Sequence, residues 1–331
     1  MRFAVIGLGI GKTHCTVLSR MQDAELVGVC DLNGELAAQV GAEYEAPAFS
    51  DWEQMVAETK PEAVCLCTNP ATHLPIGSGL AKQGIHVLCE KPMAPDVGQC
   101  LGLTEACERA GVVLMVAQKK RFSPATAFLK AHVGADFGRP ISLNYRFHLG
   151  QVPKDWFWRE EDGGGPIVEN SVHCFDLLRY VIGEVRTVRG LGGNLLVKDR
   201  APQVDIALGL LEFENGCIGA VELGAASEWS VADEELFIAC EEAVIRWYGP
   251  FDRPSELRYV HPRNGQPQTV TFDYSGEQAV GDFEREIRHF MECVRTGAKP
   301  LVPGADAARS IAVCVAMKQA VREGRVVEPW H

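Results

Sequence analysis

Lys91 stands between Glu90 and Pro92, directly after the apolar run Ile85–Cys89. Proline lacks an N–H and fixes φ, so it ends a strand and sets the direction of the residue before it. A strand closed in this way carries an ammonium to one fixed place. Further on, Gly163-Gly164-Gly165 leads into a segment containing Glu169, Asn170, His173 and Asp176. Glu169 and His173 are four residues apart, which places them on one face of a helix. A carboxylate beside an imidazole raises its pKa and orients the ring, as acid–base work requires. Asp176, three residues after His173, is a further candidate partner. The glycines would let the helix end approach a ligand or another backbone closely. Such a pair of groups suits oxidation of a secondary alcohol. His173 would take the hydroxyl proton as hydride leaves, and the ammonium of Lys91 would stabilise charge developing on the oxygen.

These groups need a scaffold. Apolar runs at Arg2–Gly7, Glu25–Asp31, Ala63–Thr68, Ile85–Cys89 and Val112–Val116 read as strands. They are apolar on both faces, as in a parallel sheet covered on both sides. Helix patterns lie between them at Lys12–Arg20, Gly34–Val40, Trp52–Glu58, Thr72–Gln83 and Asp96–Ala110, and Gly41, Gly84 and Gly111 suit helix C-caps. The alternation predicts a doubly wound sheet, whose ligands sit at the carboxyl ends of the strands. After about Phe122 the pattern changes. A long strand is expected over Arg139–Leu149 and a helix over Ile167–Ile182. Further strands are expected over Val185–Val197, Val204–Phe213, Cys217–Leu223, Glu235–Ala239, Ala243–Trp247 and Gln268–Phe272. Hairpin-like turns fall at Glu214-Asn215-Gly216 and Arg263-Asn264-Gly265. Helices over Val280–Arg295 and Ala305–Glu323 close the chain. The expected fold class is α/β followed by α+β. A Rossmann-type dinucleotide domain would span residues 1–121. A domain on a large, mostly antiparallel open sheet would span 122–331, with the C-terminal helix able to pack back on the first.

Gly7-Leu8-Gly9-Ile10-Gly11 follows the first strand and opens the first helix. There the backbone can approach a pyrophosphate, which the helix N-terminus stabilises. The spacing is one residue shorter than G-x-G-x-x-G. Asp31 ends the second strand, where a carboxylate accepts from ribose hydroxyls. Its neighbours Leu32 and Asn33 supply no cation for a 2′-phosphate, so NAD is favoured and NADP remains possible.

Composition bounds the partners. The 331 residues carry a net charge of −12, and the longest cationic run is Lys119-Lys120-Arg121, too short for a nucleic-acid footprint. No apolar run approaches the roughly 18 residues of a membrane span, and the apolar stretch near Met1 is too short for a signal peptide. Twelve scattered cysteines read as reduced, buried thiols of a cytoplasmic protein. No pair at zinc spacing accompanies Cys65 and Cys67, so no metal site is expected.

The chain resembles the Gfo/Idh/MocA oxidoreductases nearly end to end. The resemblance rests on the glycine turn with His14, Thr68-Asn69-Pro70 followed by His73, and Ile85-His86-Val87-Leu88-Cys89-Glu90-Lys91-Pro92. It continues through Arg121-Phe122-Ser123-Pro124, Trp158-Arg159, the glycine triplet, and His173 with Asp176. It implies a dehydrogenase of a sugar, sugar derivative or cyclitol, with Lys91, His173 and Glu169 as catalytic groups. Gly7, Gly9, Ile10, Gly11, Asp31, Thr68, Asn69, His73, Glu90 and Lys91 would bind the cofactor. Arg121, His148, Trp158, Arg159, Asn170 and Asp176 would bind the substrate. It also implies an often-cis Lys91–Pro92 bond and a sheet that mediates homodimers or homotetramers. Many members carry Asp where this chain has Glu169. The alternatives are a non-catalytic sensor of nucleotide or sugar and a glycosidase that uses NAD transiently.

Overall fold

The computed structural model describes the chain apart from residues 151, 153, 201, 228–232, 250–253, 262–264, 275–280 and 331, and the side chains of 226 and 227. The elements begin with β1 (Arg2–Ile6), α1 (Gly11–Leu18), β2 (Glu25–Cys30), α2 (Gly34–Glu43), β3 (Ala48–Phe49), α3 (Trp52–Thr59), β4 (Ala63–Leu66) and α4 (His73–Lys82). They continue with β5 (His86–Glu90), α5 (Val97–Ala110), β6 (Leu114–Ala117), α6 (Pro124–His132), β7 (Pro140–Gly150), α7 (Glu160–Gly163), α8 (Gly165–Glu169) and α9 (Val172–Val181). The remainder are β8 (Val185–Gly193), β9 (Ile206–Phe213), β10 (Ile218–Ser227), β11 (Asp233–Cys240), β12 (Val244–Tyr248), β13 (Glu256–Val260), β14 (Pro267–Thr271), α10 (Gly281–Thr296) and α11 (Gly304–Glu323). Residues 1–119 and 277–308 form one compact unit, and residues 120–276 and 309–331 form a second. The boundary after residue 121 is therefore not a single cut. Helix α10 belongs with the N-terminal residues, because Phe290 packs its ring 6.1 Å from Phe3 on β1.

In the first unit all strand neighbours are parallel, in the order β3-β2-β1-β4-β5-β6. The order reverses between β1 and β4, which opens a crevice at the carboxyl ends of these strands. Gly7 lies there with φ of +88°, and a Cβ on it would come within 2.6 Å of the Cys67 carbonyl. A Cβ on Gly11 would lie 2.8 Å from Val5 Cγ1, so glycine also lets α1 sit close on the sheet. Gly84 and Gly111 follow α4 and α5 with positive φ, as their expected capping role requires. Gly41 differs: α2 runs through it to Glu43, and a Cβ there would meet the Ala46 carbonyl at 2.7 Å. Its glycine serves close packing rather than a cap.

The second unit is built on an eight-stranded sheet, β14-β13-β12-β11-β7-β10-β9-β8. Its pairs are antiparallel except β7 with β10. Leu143, Tyr145 and Phe147 of β7 alternate inward, as period-two packing demands. Helix α11 lies on the same inner side, where Met317 crowds Gly190 and Gly209. The outer side exposes Leu191, Leu208 and Leu210.

Four elements were not expected: β3, with only two residues; β13, whose ELRYV shows no clean alternation; α6; and the single turn of α7. For α6 a signal was present, since Ser123 caps the helix and Pro124 occupies its first position. The expected Ile167–Ile182 helix is broken at Asn170-Ser171 into α8 and α9. The Glu214-Asn215-Gly216 turn joins β9 to β10, with Gly216 at φ +83°. Arg263 and Asn264 of the other turn, and Val280 at the expected start of α10, lie outside the described residues. No helix of the described residues is long and apolar enough to cross a membrane. Among them no group of three or more His, Cys, Asp and Glu is placed to hold a metal ion.

Gly7→Ala should lower stability by about 2 kcal/mol or more, through the strained φ and the clash with Cys67. Gly9→Ala should not, because nothing lies within 4 Å of a Cβ there. Urea unfolding midpoints of the two variants check this.

Candidate active site

Nine of the ten predicted cofactor residues fall at the carboxyl edge of the first sheet. The glycine turn follows β1, Asp31 follows β2, Thr68 and Asn69 follow β4, Glu90 ends β5 and Lys91 comes directly after it. Gly9 and Ile10 are exposed, and a Cβ on Gly9 would point into open space. The turn thus offers a bare stretch of backbone at the start of α1, which fits a pyrophosphate. Asp31 ties this turn to β2: its Oδ2 accepts the Leu8 amide at 2.8 Å and its Oδ1 the Asn33 amide at 2.9 Å. A carboxylate has about four acceptor positions, so two remain for ribose hydroxyls.

The loops after β4 and β5 are fixed by side chains that sequence reading gave to the cofactor. Asn69 Oδ1 accepts the Ala71 amide at 3.1 Å and caps a short 3₁₀ turn. His73 is fully buried, with its ring nitrogens 3.1 Å from the Met93 and Thr68 carbonyls, one on each side. Burial holds its pKa down, against the pull of those carbonyls. His73 therefore links the end of β4 to the loop after β5. Glu90 is buried too: Oε1 lies 2.8 Å from His14 Nε2, and Oε2 accepts the Lys91 amide at 3.0 Å. Burial alone would raise the Glu90 pKa, but His14 and Lys91 hold it below the ordinary carboxylate value. The Lys91–Pro92 bond is cis, and Lys91 is half-buried.

In the second unit Glu169 is the last residue of α8, and His173 follows the break at the start of α9. His173 is 8% exposed and Asn170 4%. The glycine triplet is needed on steric grounds. Gly164 and Gly165 have φ of +78° and +75°, and a Cβ on Gly165 would press on Gln203 at 2.5 Å. The Gly164 carbonyl accepts from Lys318 Nζ of α11 at 2.8 Å, and Lys318 also binds Glu160. No local spacing signals Lys318, which lies 154 residues from Gly164.

The predicted substrate residues separate into groups. Arg121 and Asp176 face each other in a buried two-pronged pair at 2.8 and 2.7 Å, and Ser310 also binds Asp176. These two side chains are buried and bind each other, which anchors α9. Trp158 is buried against Phe157 and Ala225, with its indole N–H on the Val152 carbonyl. Trp156, not singled out from the sequence, is the half-buried indole, and it lies where a Cβ on Gly163 would meet it at 3.3 Å. Arg159 is exposed and paired with Asp162. His148 does not join the others. It alternates outward with Asn144 and Arg146 on β7 and lies 3.2 Å from Glu222. A second buried pair, Lys120 with Glu234 at 2.8 and 2.9 Å, went unread because its members lie 114 residues apart.

A glycine turn at a sheet's switch point, backed by an acid after β2 and followed by a lysine directly after β5, is the arrangement of a dinucleotide-dependent oxidoreductase. Residues 1–118 match the oxidoreductase family with an NAD-binding Rossmann fold (Gfo/Idh/MocA), and residues 130–328 match its C-terminal alpha/beta domain. The chain belongs to this family and is an NAD(P)-dependent dehydrogenase. It is 28% identical to scyllo-inositol 2-dehydrogenase (NAD(+)) of Bacillus subtilis, over 99% of this chain and 96% of that one. It is 26% identical to D-apiose dehydrogenase of Paraburkholderia graminis, over 98% and 88%. A levoglucosan dehydrogenase solved with NADH and levoglucosan shares the fold, with a TM-score of 0.87, 21% identity and full coverage of both chains.

Asp176→Ala leaves Arg121 buried without its counter-charge and should cost about 3–5 kcal/mol of stability. The double variant Arg121→Met/Asp176→Leu should recover much of that loss in denaturant midpoint.

Proposed function

We propose that this dehydrogenase acts on a secondary alcohol of a sugar, sugar derivative or cyclitol, with NAD as its preferred cofactor. The observation that carries the reading is the placement of Lys91 on the same strand edge as the glycine turn and Asp31. The substrate class is supported by relatives named as dehydrogenases of inositols and D-apiose. When bound, the nicotinamide supplies the hydride acceptor or donor. The chain's own groups do the rest. Lys91 hydrogen-bonds the reacting oxygen and stabilises its negative charge. His173 takes the hydroxyl proton, with Glu169 as its carboxylate partner. Asn170 binds a substrate hydroxyl, while Arg121 and Asp176 keep α9 in place.

We also infer a homodimer or homotetramer formed through the outer face of the second unit's sheet. That face carries a groove of about 660 Å³ lined by Leu208, Leu210, Phe237, Arg146, Arg189 and Arg246. Leu208 and Leu210 are 53% and 59% exposed, and an apolar patch of this kind marks an interaction surface. The free, buried state of the twelve cysteines supports a cytoplasmic location.

Fluorescence titration with NADH and NADPH should show saturable binding that is tighter for NADH, and Asp31→Ser should narrow the difference. An unaltered ratio would place the ribose contact elsewhere. A screen of sugars and cyclitols with NAD should give steady growth of NADH absorbance; release of an aglycone without NADH would point to a glycosidase instead. Lys91→Ala should cut turnover roughly a hundredfold or more, and His173→Ala should abolish the neutral-range pH dependence. Near-normal rates in the first, or an unchanged profile in the second, would refute the assigned roles. Leu208→Glu/Leu210→Glu should shift the mass in light scattering to that of a monomer.

A further inference from the structure

Glu286 of α10 is 0% exposed, yet neither carboxyl oxygen has a hydrogen-bond partner among the described residues. His14 Nδ1, also fully buried, lacks one as well. Both belong to the first unit, where α1 and α10 pack together. Phe283, one helical turn before Glu286, sets its ring edge-on to His14 at 5.3 Å. The other nitrogen of His14 meets Glu90, and Glu90 accepts the Lys91 amide.

Glu90 and Glu286 are both buried, on β5 and α10, which pack together, so both cannot ionise cheaply. Their partners decide which one does. Glu90 has the His14 ring and the Lys91 amide to support a negative charge. Glu286 has neither, and an unsupported buried carboxylate neutralises itself by keeping its proton. The surrounding charges agree on balance. Glu90 on β5 and Asp282 on α10 repel charge on Glu286, while Lys119 attracts it from a position over the Phe283 ring, 5.1 Å from its centroid. The thiols of Cys65 on β4 and Cys15 on α1 stay neutral, pushed up by burial. Burial and Glu90 together raise the Glu286 pKa well above the ordinary value.

We propose that Glu286 is a resident neutral acid in a buried His14–Glu90–Glu286 cluster, and that its retained proton confines the negative charge behind Lys91 to Glu90. The protonation state is independent of the reaction; its consequence for turnover rests on the role proposed above for Lys91.

Infrared difference spectra of wild type against Glu286→Gln at pH 7, without cofactor, should show a protonated-carboxyl carbonyl band in wild type that the variant lacks. No such band would overturn the proposal. Stability against pH gives a second readout. The unfolded chain releases the Glu286 proton above the ordinary carboxylate pKa, while the folded chain keeps it until the raised pKa. Wild type should therefore lose stability relative to Glu286→Gln as pH rises through that window, with the slope of one proton. A flat difference would overturn the proposal. Should the variant fail to fold, carbon-13 NMR of carboxyl-labelled wild type answers the same question: every glutamate titrating in the ordinary range would refute it. In turnover, Glu90→Gln should be more damaging than Glu286→Gln, and equal losses would refute the assignment of charge to Glu90. If no alcohol is oxidised at all, the function proposed above fails while the spectroscopic and stability tests still decide this one.

Discussion

The ends of β1 and β4 approach so closely that no side chain fits between them. Gly7 passes the Cys67 carbonyl at a distance where even a methyl group would clash. Its amide still donates to the Cys30 carbonyl at 2.8 Å, and the Cys67 amide donates to Ile6 at 2.7 Å. The end of β1 is therefore held from both sides. Every cofactor position in the first unit is measured from this point. Asp31 reaches the turn only because β2 is locked beside Gly7, and the loops after β4 and β5 extend along the same edge.

Buried pairs of titratable groups form the second layer of constraint, and they are committed to one another. His14 with Glu90 spans 76 residues of sequence, Arg121 with Asp176 spans 55, and Lys120 with Glu234 spans 114. A buried pair of this kind adds little net stability, because desolvation offsets most of its attraction. Its value lies in specification, since any arrangement that separates the partners leaves a charge stranded. In each unit such pairs fix the segments that carry the groups proposed to react. Glu90 fixes the turn carrying Lys91, and Asp176 fixes the helix carrying His173.

Local chemistry was legible from the sequence, and long-range pairing was not. The first sheet could be read because its strands are short apolar runs separated by helices with capping signals. Asn33, Asp51 and Asp96 each accept amides at a helix start, as their residue types foretell. The glycine turn, Asp31 and the lysine before Pro92 all depend on neighbours within a few residues, and they stand where expected. The placements that spacing did not show share a cause. Arg121 and Asp176 carry groups that could bind a substrate, but their partners lie on other elements, and one-dimensional spacing cannot show that the capacity is already used. His148 failed for a related reason: which face of a strand is covered depends on the packing of a distant helix, and alternation alone gives no sign of the inner side. The break between α8 and α9 left no mark either, since Asn170 and Ser171 are tolerated within helices.

Commitment and capacity therefore separate the residues of the carboxyl edge. Asn69, His73 and Glu90 spend their hydrogen-bonding groups on backbone or on His14, so they act by shaping the loops. Gly9 and Ile10 are exposed and Asp31 keeps acceptor positions beyond its two amides, so under the proposed function recognition falls to backbone and to one carboxylate. A site made in this way tolerates many substitutions on its surface but few beneath it. Replacing His73 or Glu90 shifts several contacts at once, because each joins two segments, whereas replacing an outward residue removes a single contact. The same reasoning explains why a glycine turn one residue shorter than the common pattern can still serve. What the pyrophosphate requires is bare backbone at the start of α1, and Gly9 provides it with nothing nearby to obstruct the approach.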